Sequence, residues 1–445
     1  MRDDATPGAG RRIGAWTAAM VVVASMVGTG VFTTTGLLVR DLGSPAAVLG
    51  AWAVGGLLAL CGALSYGELA AALPRNGGEY QILGRVFHPA LGFAAGIVSL
   101  VVGFSAPLAA SALAFGHYLA AVAPGFPPMP SAIGIVVLAS LLHAFHVRLG
   151  GRVQAAVTAL EVALVLAFVV AGAVHGDPSR LLATPSGAGT RSFAVALIYV
   201  SFAYSGWNGA VYLAGEVKEP SRTLPRALLA GTALVVVLYL ALNAVFLSAA
   251  PAGELAGVVE VGHVAAVRLL GPGAGRVLAA LVALVLASSV SAMLMAGPRV
   301  YETMGLDYPA LSILARRTRH GGPAVAVAFQ ALVAVGMIAT ASFAALLAYI
   351  GFTLSLVAGL TVAGVLVLRR REPALERPYR TWGYPLTPLL FVALSAWMVA
   401  HALFENPASS WAGLATVAVA LALHVLLGRR GEARASRDST RSPRA

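Results

Sequence analysis

Charged residues are scarce in this sequence. Only 11% of its 445 residues are Asp, Glu, Lys or Arg, whereas 59% are hydrophobic. An ordinary soluble domain carries about 25% charged residues, because water must wet its surface. Most of the surface of this chain must therefore face a medium other than water, and the sequence leaves no room for a sizeable soluble domain.

Cysteine is nearly absent as well. The single cysteine, Cys61, lies in an apolar segment, which excludes an intrachain disulfide and a metal cluster held by thiolates. His143 and His146 have a spacing that suits two metal ligands, but a metal site needs three or four, and no carboxylate or cysteine lies nearby in the sequence. We therefore predict no bound metal and no cofactor.

Motifs for nucleotide binding and for hydrolysis are also missing. The sequence has no G-x-x-x-x-G-K-[ST], no H-E-x-x-H and no nucleophile elbow. A membrane-embedded enzyme would need His, Asp or Glu residues clustered near one membrane face, and the candidates in this sequence are scattered. We predict that the chain is not an enzyme and that any transport is driven by ion gradients or by exchange.

Long apolar stretches, by contrast, are abundant. Each has about 20 residues, which is enough for a helix to cross about 30 Å of hydrocarbon. The predicted fold class is therefore an all-α polytopic membrane protein with 12 transmembrane helices. The predicted spans are 14–38, 46–73, 89–121, 131–147, 152–175, 191–215, 227–250, 274–298, 323–341, 344–368, 386–404 and 410–427.

Basic residues are distributed unevenly between the loops. If the N-terminal segment 1–13 is cytoplasmic, 25 of the 30 Lys and Arg residues fall in cytoplasmic segments, which is the positive-inside pattern. The net charge of +12 then reflects membrane topology and not binding of nucleic acid. We predict a protein of the inner (plasma) membrane with both termini cytoplasmic, including a basic tail over 428–445 that faces lipid.

Two of the predicted spans are interrupted by residues that form poor helices. In the first, two glycines flank Thr29 and three more threonines follow; in the sixth, polar and aromatic residues over 201–209 lie in mid-span. Non-helical backbone at membrane depth survives only beside protein or a polar cavity. Matching interruptions in two halves of a chain indicate a substrate site near the membrane midplane. The alternative is that these glycines only allow close helix packing.

Broken helices also offer ends of opposite polarity. A helix that restarts near Gly30 presents free N–H groups and a positive dipole end, which suit a carboxylate. A helix that stops between Tyr204 and Gly206 leaves carbonyl groups, which suit an ammonium group. Together the two ends suit a zwitterion, so an α-amino acid is the simplest ligand.

Six segments, in order along the chain, resemble those of the amino acid–polyamine–organocation superfamily, and particularly its L-type amino acid transporter branch. Residues 27–32 are similar to the family's carboxylate loop, and residues 202–208 resemble its F-x-Y-x-G-W segment. The other four segments are 65–80, 216–226, 298–301 and 378–385. The resemblance extends over nearly the whole chain.

This resemblance implies the leucine-transporter fold, in which two inverted repeats of five helices alternate the access to one site. The repeats would cover 14–175 and 191–368, and two extra helices would cover 386–427, with helices 1 and 6 broken. The carboxylate would bind Thr29, Gly30 and Val31, and Phe202 matches the family's gating aromatic. The full predicted substrate-binding set is Val27, Gly28, Thr29, Gly30, Val31, Phe202, Ala203, Tyr204, Ser205 and Gly206.

Glu161 departs from the family pattern. It stands where many members have a lysine, whose ammonium takes the place of a sodium ion. A carboxylate there could bind a proton (H+) or a sodium ion (Na+), together with Ser288 and Ser291, and so couple transport to an ion gradient. The alternative is a structural Glu that is bonded to a neighbouring helix or kept protonated.

Two loops carry further expectations. The outer loop over 124–130 lacks the cysteine with which animal L-type members bind an accessory subunit, so no disulfide-linked partner is expected. Glu68 and Glu79 flank an inner loop near Arg75 and Arg85, where they could form a salt-bridged gate or simply be solvated.

The predicted function is secondary active transport of amino acids, with neutral ones favoured, as proton symport or as exchange. An amine or polyamine carrier is the alternative within the same fold. It requires a carboxylate near the substrate, and we find no acidic side chain at depth in the first, third, sixth or tenth span. A membrane enzyme and a sensor that does not transport are the alternatives of a different class.

Overall fold

The computed structural model describes residues 13–75, 77–145, 150–182, 192–317 and 323–440. Regular structure in these ranges is helical, apart from one isolated parallel bridge between Ile13 and Val217. The α-helices in chain order are α1 (Ala15–Met26), α2 (Thr29–Leu42), α3 (Pro45–Ala72), α4 (Glu79–Val86), α5 (Pro89–Val98), α6 (Ala106–Val122), α7 (Pro128–Phe145), α8 (Gly150–His175), α9 (Phe193–Ala203), α10 (Pro220–Ala249), α11 (Ala252–Leu255), α12 (Val261–Leu270), α13 (Pro272–Asp307), α14 (Ala324–Thr340), α15 (Phe343–Arg371), α16 (Leu386–Glu405) and α17 (Pro407–Thr440). A π-helix over Ser99–Ser105 and 3-10 helices over Pro178–Leu182, Gly209–Glu216 and Pro309–Ala315 complete the set.

Several helical stretches within these ranges are long and apolar enough to cross a membrane. They are Ala15–Leu42, Pro45–Ala72, Pro89–Val122, Pro220–Ala249, Pro272–Asp307, Phe343–Arg371, Leu386–Glu405 and Pro407–Leu427. Each coincides with a predicted span, and the other four predicted spans contain the shorter apolar helices Pro128–Ala144, Ala159–His175, Phe193–Ala203 and Ala324–Thr340. The all-helical, multi-pass architecture is thus confirmed, while the count of twelve spans and the repeat boundaries stay predictions.

One apolar helix, α12, was not predicted from the sequence. It has 10 residues, which is too few to cross the hydrocarbon core, so a search for spans of about 20 residues passes over it. It packs beside α13 and contributes the buried side chains of Val261 and Ala265 to the core.

Proline and serine mark several helix starts. Proline occupies the first position of α3, α5, α7, α10, α13 and α17, where its missing N–H breaks no helical hydrogen bond. Ser44, Ser192 and Ser342 precede α3, α9 and α15, and each hydroxyl accepts a hydrogen bond of 3.2–3.4 Å from the backbone N–H three residues further on. Such capping satisfies one of the N–H groups that every helix start leaves unpaired.

The first membrane-crossing stretch is divided between α1 and α2. The helix α1 ends at Met26, the backbone of Val27 is extended (φ −70°, ψ 121°), and α2 begins at Thr29 after Gly28. The backbone thus departs from helical geometry at two residues within a stretch of 28 residues. Such a break needs neighbouring groups to surround it, because lipid offers no hydrogen bonds.

A second irregular segment follows α9. This helix ends at Ala203, and Gly206 has φ +96°, in the left-handed region that favours glycine. The chain then continues as the 3-10 helix Gly209–Glu216, in which Leu213 departs from helical dihedral angles. The direction of the chain therefore changes between residues 204 and 209, at the place where the sequence pattern indicated an interruption.

Three buried aromatic rings pack against this region. The ring of Tyr204 lies 5.5 Å from that of Trp52 and 5.2 Å from that of Tyr239, and the Trp52 and Tyr239 rings are 5.6 Å apart. Pairs of this geometry contribute about 0.5–1.5 kcal/mol beyond the burial of their area. The cluster joins α3 and α10 to the end of α9 and gives the irregular segment a rigid support.

Candidate functional site

The two interruptions of the helices meet in the interior of the protein. A Cβ atom built on Gly30 would lie 2.4 Å from the Cα atom of Ala203, so α2 and α9 touch through their backbones. A Cβ atom built on Gly206 would lie 2.2 Å from the carbonyl oxygen of Ser25, near the end of α1. Glycine is therefore required at both contacts, because no side chain fits between these backbones.

The first turn of α2 begins inside the protein without a side-chain cap. Gly28, the residue before it, has no side chain that could accept a hydrogen bond from the first N–H groups. The hydroxyl of Thr29 instead lies 2.5 Å from that of Ser111 on α6. The positive end of the helix dipole and these N–H groups together have the polarity that suits an anion such as a carboxylate.

The carboxyl-terminal ends of α1 and α9 lie near this turn. The carbonyl of Met26 accepts a hydrogen bond of 2.6 Å from the Tyr239 hydroxyl, and that of Phe202 accepts one of 2.9 Å from the N–H of Ser205. Helix carboxyl ends carry partial negative charge. The region therefore presents opposite polarities to a small molecule placed between the helix ends.

A cavity of about 70 Å³ lies at these helix ends. The predicted site residues that line it are Val27, Gly28, Thr29, Gly30, Glu161, Phe202, Ala203 and Ser205. Its other lining residues, which lie outside the predicted set of site residues, are Ala24, Ser25, Met26, Pro107, Ser111, Ser289, Ala292 and Met293. The structure thus brings together residues from α1, α2, α6, α8, α9 and α13.

Five of the predicted residues lie outside the cavity lining. Val31 is buried in the next turn of α2, and the Tyr204 hydroxyl donates to the Trp52 carbonyl at 3.1 Å. The Ser291 hydroxyl is 2.7 Å from Nε2 of His143. The remaining two of the five are Gly206 and Ser288. His146, which the sequence pairs with His143, lies outside the described residues.

The additional lining residues on α6 and α13 follow a simple helical pattern. Pro107 and Ser111 are four residues apart, and Ser289, Ala292 and Met293 are three and four apart, so each set occupies one face of its helix. Polar or kinking residues at this spacing within an apolar span were the signal that could have identified them. Ser289, and not Ser288, lines the cavity because of the way α13 packs against its neighbours, which the sequence does not reveal.

Glu161 is the charged side chain of the cavity lining. It projects from α8 and is only 2% exposed. The Glu161 carboxylate is shielded from water by the surrounding protein. No cationic side chain in the described ranges forms an ion pair with it. A carboxylate in that position must either hold a proton or receive a cation from outside the chain, because an unpaired charge in an apolar interior is costly.

A larger cavity of about 690 Å³ lies elsewhere, between the end of α2 and the starts of α15 and α17. Its carboxylates already have partners, since Asp41 accepts a hydrogen bond of 2.7 Å from Arg40 and Glu405 accepts one of 2.9 Å from the N–H of Ser192. We take the smaller cavity as the candidate site, because the helix breaks and the buried Glu161 converge there.

Glu68 forms the centre of a buried ionic cluster. Its carboxylate accepts hydrogen bonds of 2.8 and 2.7 Å from Arg369 and two of 2.8 Å from the N–H and hydroxyl of Thr381. Arg377 lies 3.5 Å away, and the Arg369 guanidinium stacks 3.7 Å over the Tyr384 ring. The cluster joins α3 to the end of α15, so Glu68 pairs with arginines more than 300 residues away and not with Arg75 or Arg85.

Glu79 holds the irregular segment after α9. Its carboxylate accepts hydrogen bonds from the Tyr66 hydroxyl at 3.0 Å, the Asn208 amide at 2.5 Å and the Tyr212 hydroxyl at 2.5 Å. These bonds tie the start of α4 to α3 and to the 3-10 helix Gly209–Glu216. The chain beyond the second interruption is therefore fixed by uncharged donors and not by a salt bridge to Arg75 or Arg85.

An exposed ion pair lies beside these clusters. Arg85 donates two hydrogen bonds, of 2.6 and 2.8 Å, to the Glu372 carboxylate. The Arg85 guanidinium holds the pKa of Glu372 below its usual range. The pair connects α4 to the residue that follows α15.

Comparison with known proteins places these features in a family. The family model described as amino acid permease matches residues 13–425. The large neutral amino acids transporter small subunit 2 of Homo sapiens is 27% identical over 449 residues, covering 95% of this chain and 83% of its own. The serine/threonine exchanger SteT of Bacillus subtilis is 26% identical over 407 residues, covering 90% and 92%. The b(0,+)-type amino acid transporter 1 of Mus musculus is 27% identical, covering 89% and 84%.

Proposed function

The chain belongs to the amino acid permease family, and on that premise we propose that it is a secondary active transporter of neutral amino acids that works by alternating access. Membership confirms the resemblance seen in its sequence motifs. The three relatives are named as amino acid transporters or exchangers and not as enzymes. Transport of amino acids across a membrane is accordingly the function that we assign.

One observation carries the assignment of the substrate. The uncapped start of α2 faces a cavity that the last residue of α9, Ala203, also lines. Opposed helix ends of this kind bind a carboxylate at the amino end and a cationic group at the carboxyl end. An α-amino acid carries both groups two bonds apart, so it matches the two ends with a single small molecule.

The proposed architecture has twelve spans in two inverted repeats of five, followed by two further helices. The breaks after Met26 and after Ala203 fall in the first and sixth predicted spans, which occupy equivalent positions in the two repeats. The distribution of basic residues supports cytoplasmic termini in the plasma membrane, which is the inner membrane in a cell with two. Phe202, which lines the cavity, is the proposed gate.

Coupling to an ion gradient is proposed to occur at Glu161. Its carboxylate lines the cavity beside the end of α1, so its protonation state affects the field at the substrate. Ser289 lines the same cavity, and Ser288 and Ser291 remain proposed contributors on the same helix. Exchange of one amino acid for another, without an ion, is the alternative cycle within this function.

An amine or polyamine carrier is a second candidate, and Glu161 is the observation that favours it. The first, third, sixth and tenth spans offer no acidic side chain at depth, but α8 places this carboxylate in the cavity lining. A ligand with an amine and no carboxylate would leave the N–H groups at the start of α2 without an anion to bind. An amino acid zwitterion would bind both the start of α2 and the carboxyl end of α9, so it fits the site better than an amine does.

We propose no disulfide-linked accessory subunit. The single cysteine, Cys61, is buried within α3, so it is not available on an outer loop. Subunits bound without a disulfide are compatible with this proposal.

The function is tested with the full chain purified in detergent. The twenty amino acids, putrescine and agmatine are each screened for thermal stabilisation, because a ligand at a hundredfold excess over Kd contributes about 2.7 kcal/mol. Stabilisation by amino acids, followed by their uptake into proteoliposomes, is the expected result. Stabilisation by amines alone would assign the chain to the amine carriers, and binding without uptake would indicate a sensor.

A further inference from the structure

The volume of the candidate cavity limits the size of its ligand. The cavity holds about 70 Å³, whereas pockets for drug-sized ligands hold about 300–1,000 Å³. A cavity this small favours the smallest amino acids, glycine, alanine and serine. It is well below the size of leucine, phenylalanine or tryptophan.

The start of α2 is fixed on two sides of the cavity. A Cβ atom built on Gly30 would clash with Ala203, so α2 and α9 are in close backbone contact. The Thr29 hydroxyl is in hydrogen-bond contact with Ser111 on α6. The carboxylate end of the site therefore cannot widen toward α9 or α6 without separating these helices.

The remaining wall is formed by larger side chains that point into the cavity. Phe202, which is 6% exposed, lines the cavity at the end of α9, and Met293 lines it from α13 beside Ala292. The backbone carbonyl of Met293 accepts a hydrogen bond of 3.0 Å from the Gln330 amide, which fixes this turn of α13 against α14. Of Phe202 and Met293, the flexible thioether chain of Met293 is the one that can adapt to a longer substrate, while the backbone behind it stays anchored.

We infer that the substrates of this transporter are the small neutral α-amino acids, glycine, alanine and serine, and that Met293 together with Phe202 sets the upper limit of side-chain size. This inference rests on the proposed function, since it concerns the same site. It distinguishes the chain from a carrier of large neutral amino acids. The head group is held by the helix ends, so the side chain of the substrate faces Met293 and Ala292.

The first test compares small and large ligands on the full-length protein in detergent. Thermal stabilisation is titrated with L-alanine, L-serine, L-leucine and L-phenylalanine to obtain an apparent Kd for each. We expect alanine and serine to bind at least about tenfold more tightly than leucine and phenylalanine. Equal or tighter binding of leucine would overturn the size limit and leave the transport function standing, whereas binding of no amino acid would overturn the proposed function itself.

The second test enlarges the cavity with Met293→Ala. We expect the apparent Kd for leucine to fall by about tenfold or more, because each methylene that a pocket accommodates is worth about tenfold or more in discrimination. Alanine binding should change much less. Met337→Ala on α14, which lies outside the cavity lining, is the matched control and should behave as the parent protein. An unchanged leucine Kd in Met293→Ala would remove this residue from the size limit.

A third variant keeps the inference testable if Met293→Ala does not fold. Ala292→Val adds two methyl groups to the same wall, so serine binding should weaken more than glycine binding. Equal effects on glycine and serine, or no effect on either, would contradict the assignment of this wall to the substrate side chain.

Discussion

Gly30 and Ala203 are in backbone contact, since a Cβ atom on Gly30 would lie 2.4 Å from Cα of Ala203. This contact joins the first turn of α2 to the last turn of α9 beside the cavity. A single methyl group added at residue 30 must therefore push two main-chain segments apart. The contact makes the site geometry sensitive to the smallest possible substitution.

Gly30→Ala tests that sensitivity. We expect overpacking to cost about 1–3 kcal/mol and to displace the N–H groups that face the carboxylate. Amino acid uptake should fall about tenfold if the displaced N–H groups weaken substrate binding by about 1.4 kcal/mol. Uptake into proteoliposomes and ligand-induced thermal stabilisation would measure the two consequences.

The matched control for this substitution is Gly134→Ala. No atom lies within 4 Å of a Cβ atom built on Gly134, which is exposed on α7. The control should keep full uptake and gain up to about 1 kcal/mol of stability, because alanine is favoured over glycine in a helix. Equal activity of the two variants would show that the α2–α9 contact is not part of the site.

Glu161→Gln tests the coupling role. Glutamine has nearly the same shape but cannot bind or release a proton. We expect uptake to become independent of an imposed proton gradient, while the apparent Kd for the amino acid changes by only a few-fold. Uptake by proteoliposomes with and without an inward proton gradient is the measurement, and Glu376→Gln, at an exposed position, is the control. Persistence of the gradient dependence would remove Glu161 from the coupling mechanism.

Sequence reasoning located the helix breaks because the signal there is local. Glycines around Thr29 and the polar run from Tyr204 interrupt an apolar pattern, and both coincide with observed irregular backbone. Ser289 was missed in favour of Ser288 because one residue turns a helix by about 100°, and only packing decides which face meets the cavity. The local pattern therefore identifies the breaks, but not which faces of the surrounding regular helices meet the cavity.

The partner of Glu68 could not be predicted for a similar reason. Arg75 and Arg85 are close in sequence, but the carboxylate binds Arg369, which is 301 residues away. Pairing over that separation depends on how α3 and α15 pack. The same holds for the bond from Asn208 to Glu79, which follows from the course of the chain after α9.

Glu68→Gln should destabilise the protein strongly. Glu68 is 2% exposed, and its removal leaves the Arg369 and Arg377 side chains without their carboxylate. Breaking a buried ion pair from one side costs about 3–5 kcal/mol. We expect a clear fall of the thermal unfolding temperature in detergent. Glu254→Gln, which breaks the exposed pair with Arg268, should cost at most about 1 kcal/mol. Similar losses in the two variants would contradict a special role for the buried cluster.

The exposed ion pair between Arg85 and Glu372 predicts that the stability of the fold decreases at acidic pH. The Arg85 guanidinium lowers the pKa of Glu372 in the folded state, so folding favours the ionised carboxylate. The contribution of the pair to stability is then complete above the unfolded pKa, which is about 4.3, and is lost as the pH falls through the lower folded pKa. The difference in unfolding temperature between the parent protein and Glu372→Gln should therefore be constant from about pH 8 to pH 6 and shrink below about pH 4.

Both side chains are partly exposed, and salt screens such a pair, so the difference should also decrease at 1 M salt. A difference that grows on acidification would have the wrong sign and would show that the ion pair does not stabilise the fold.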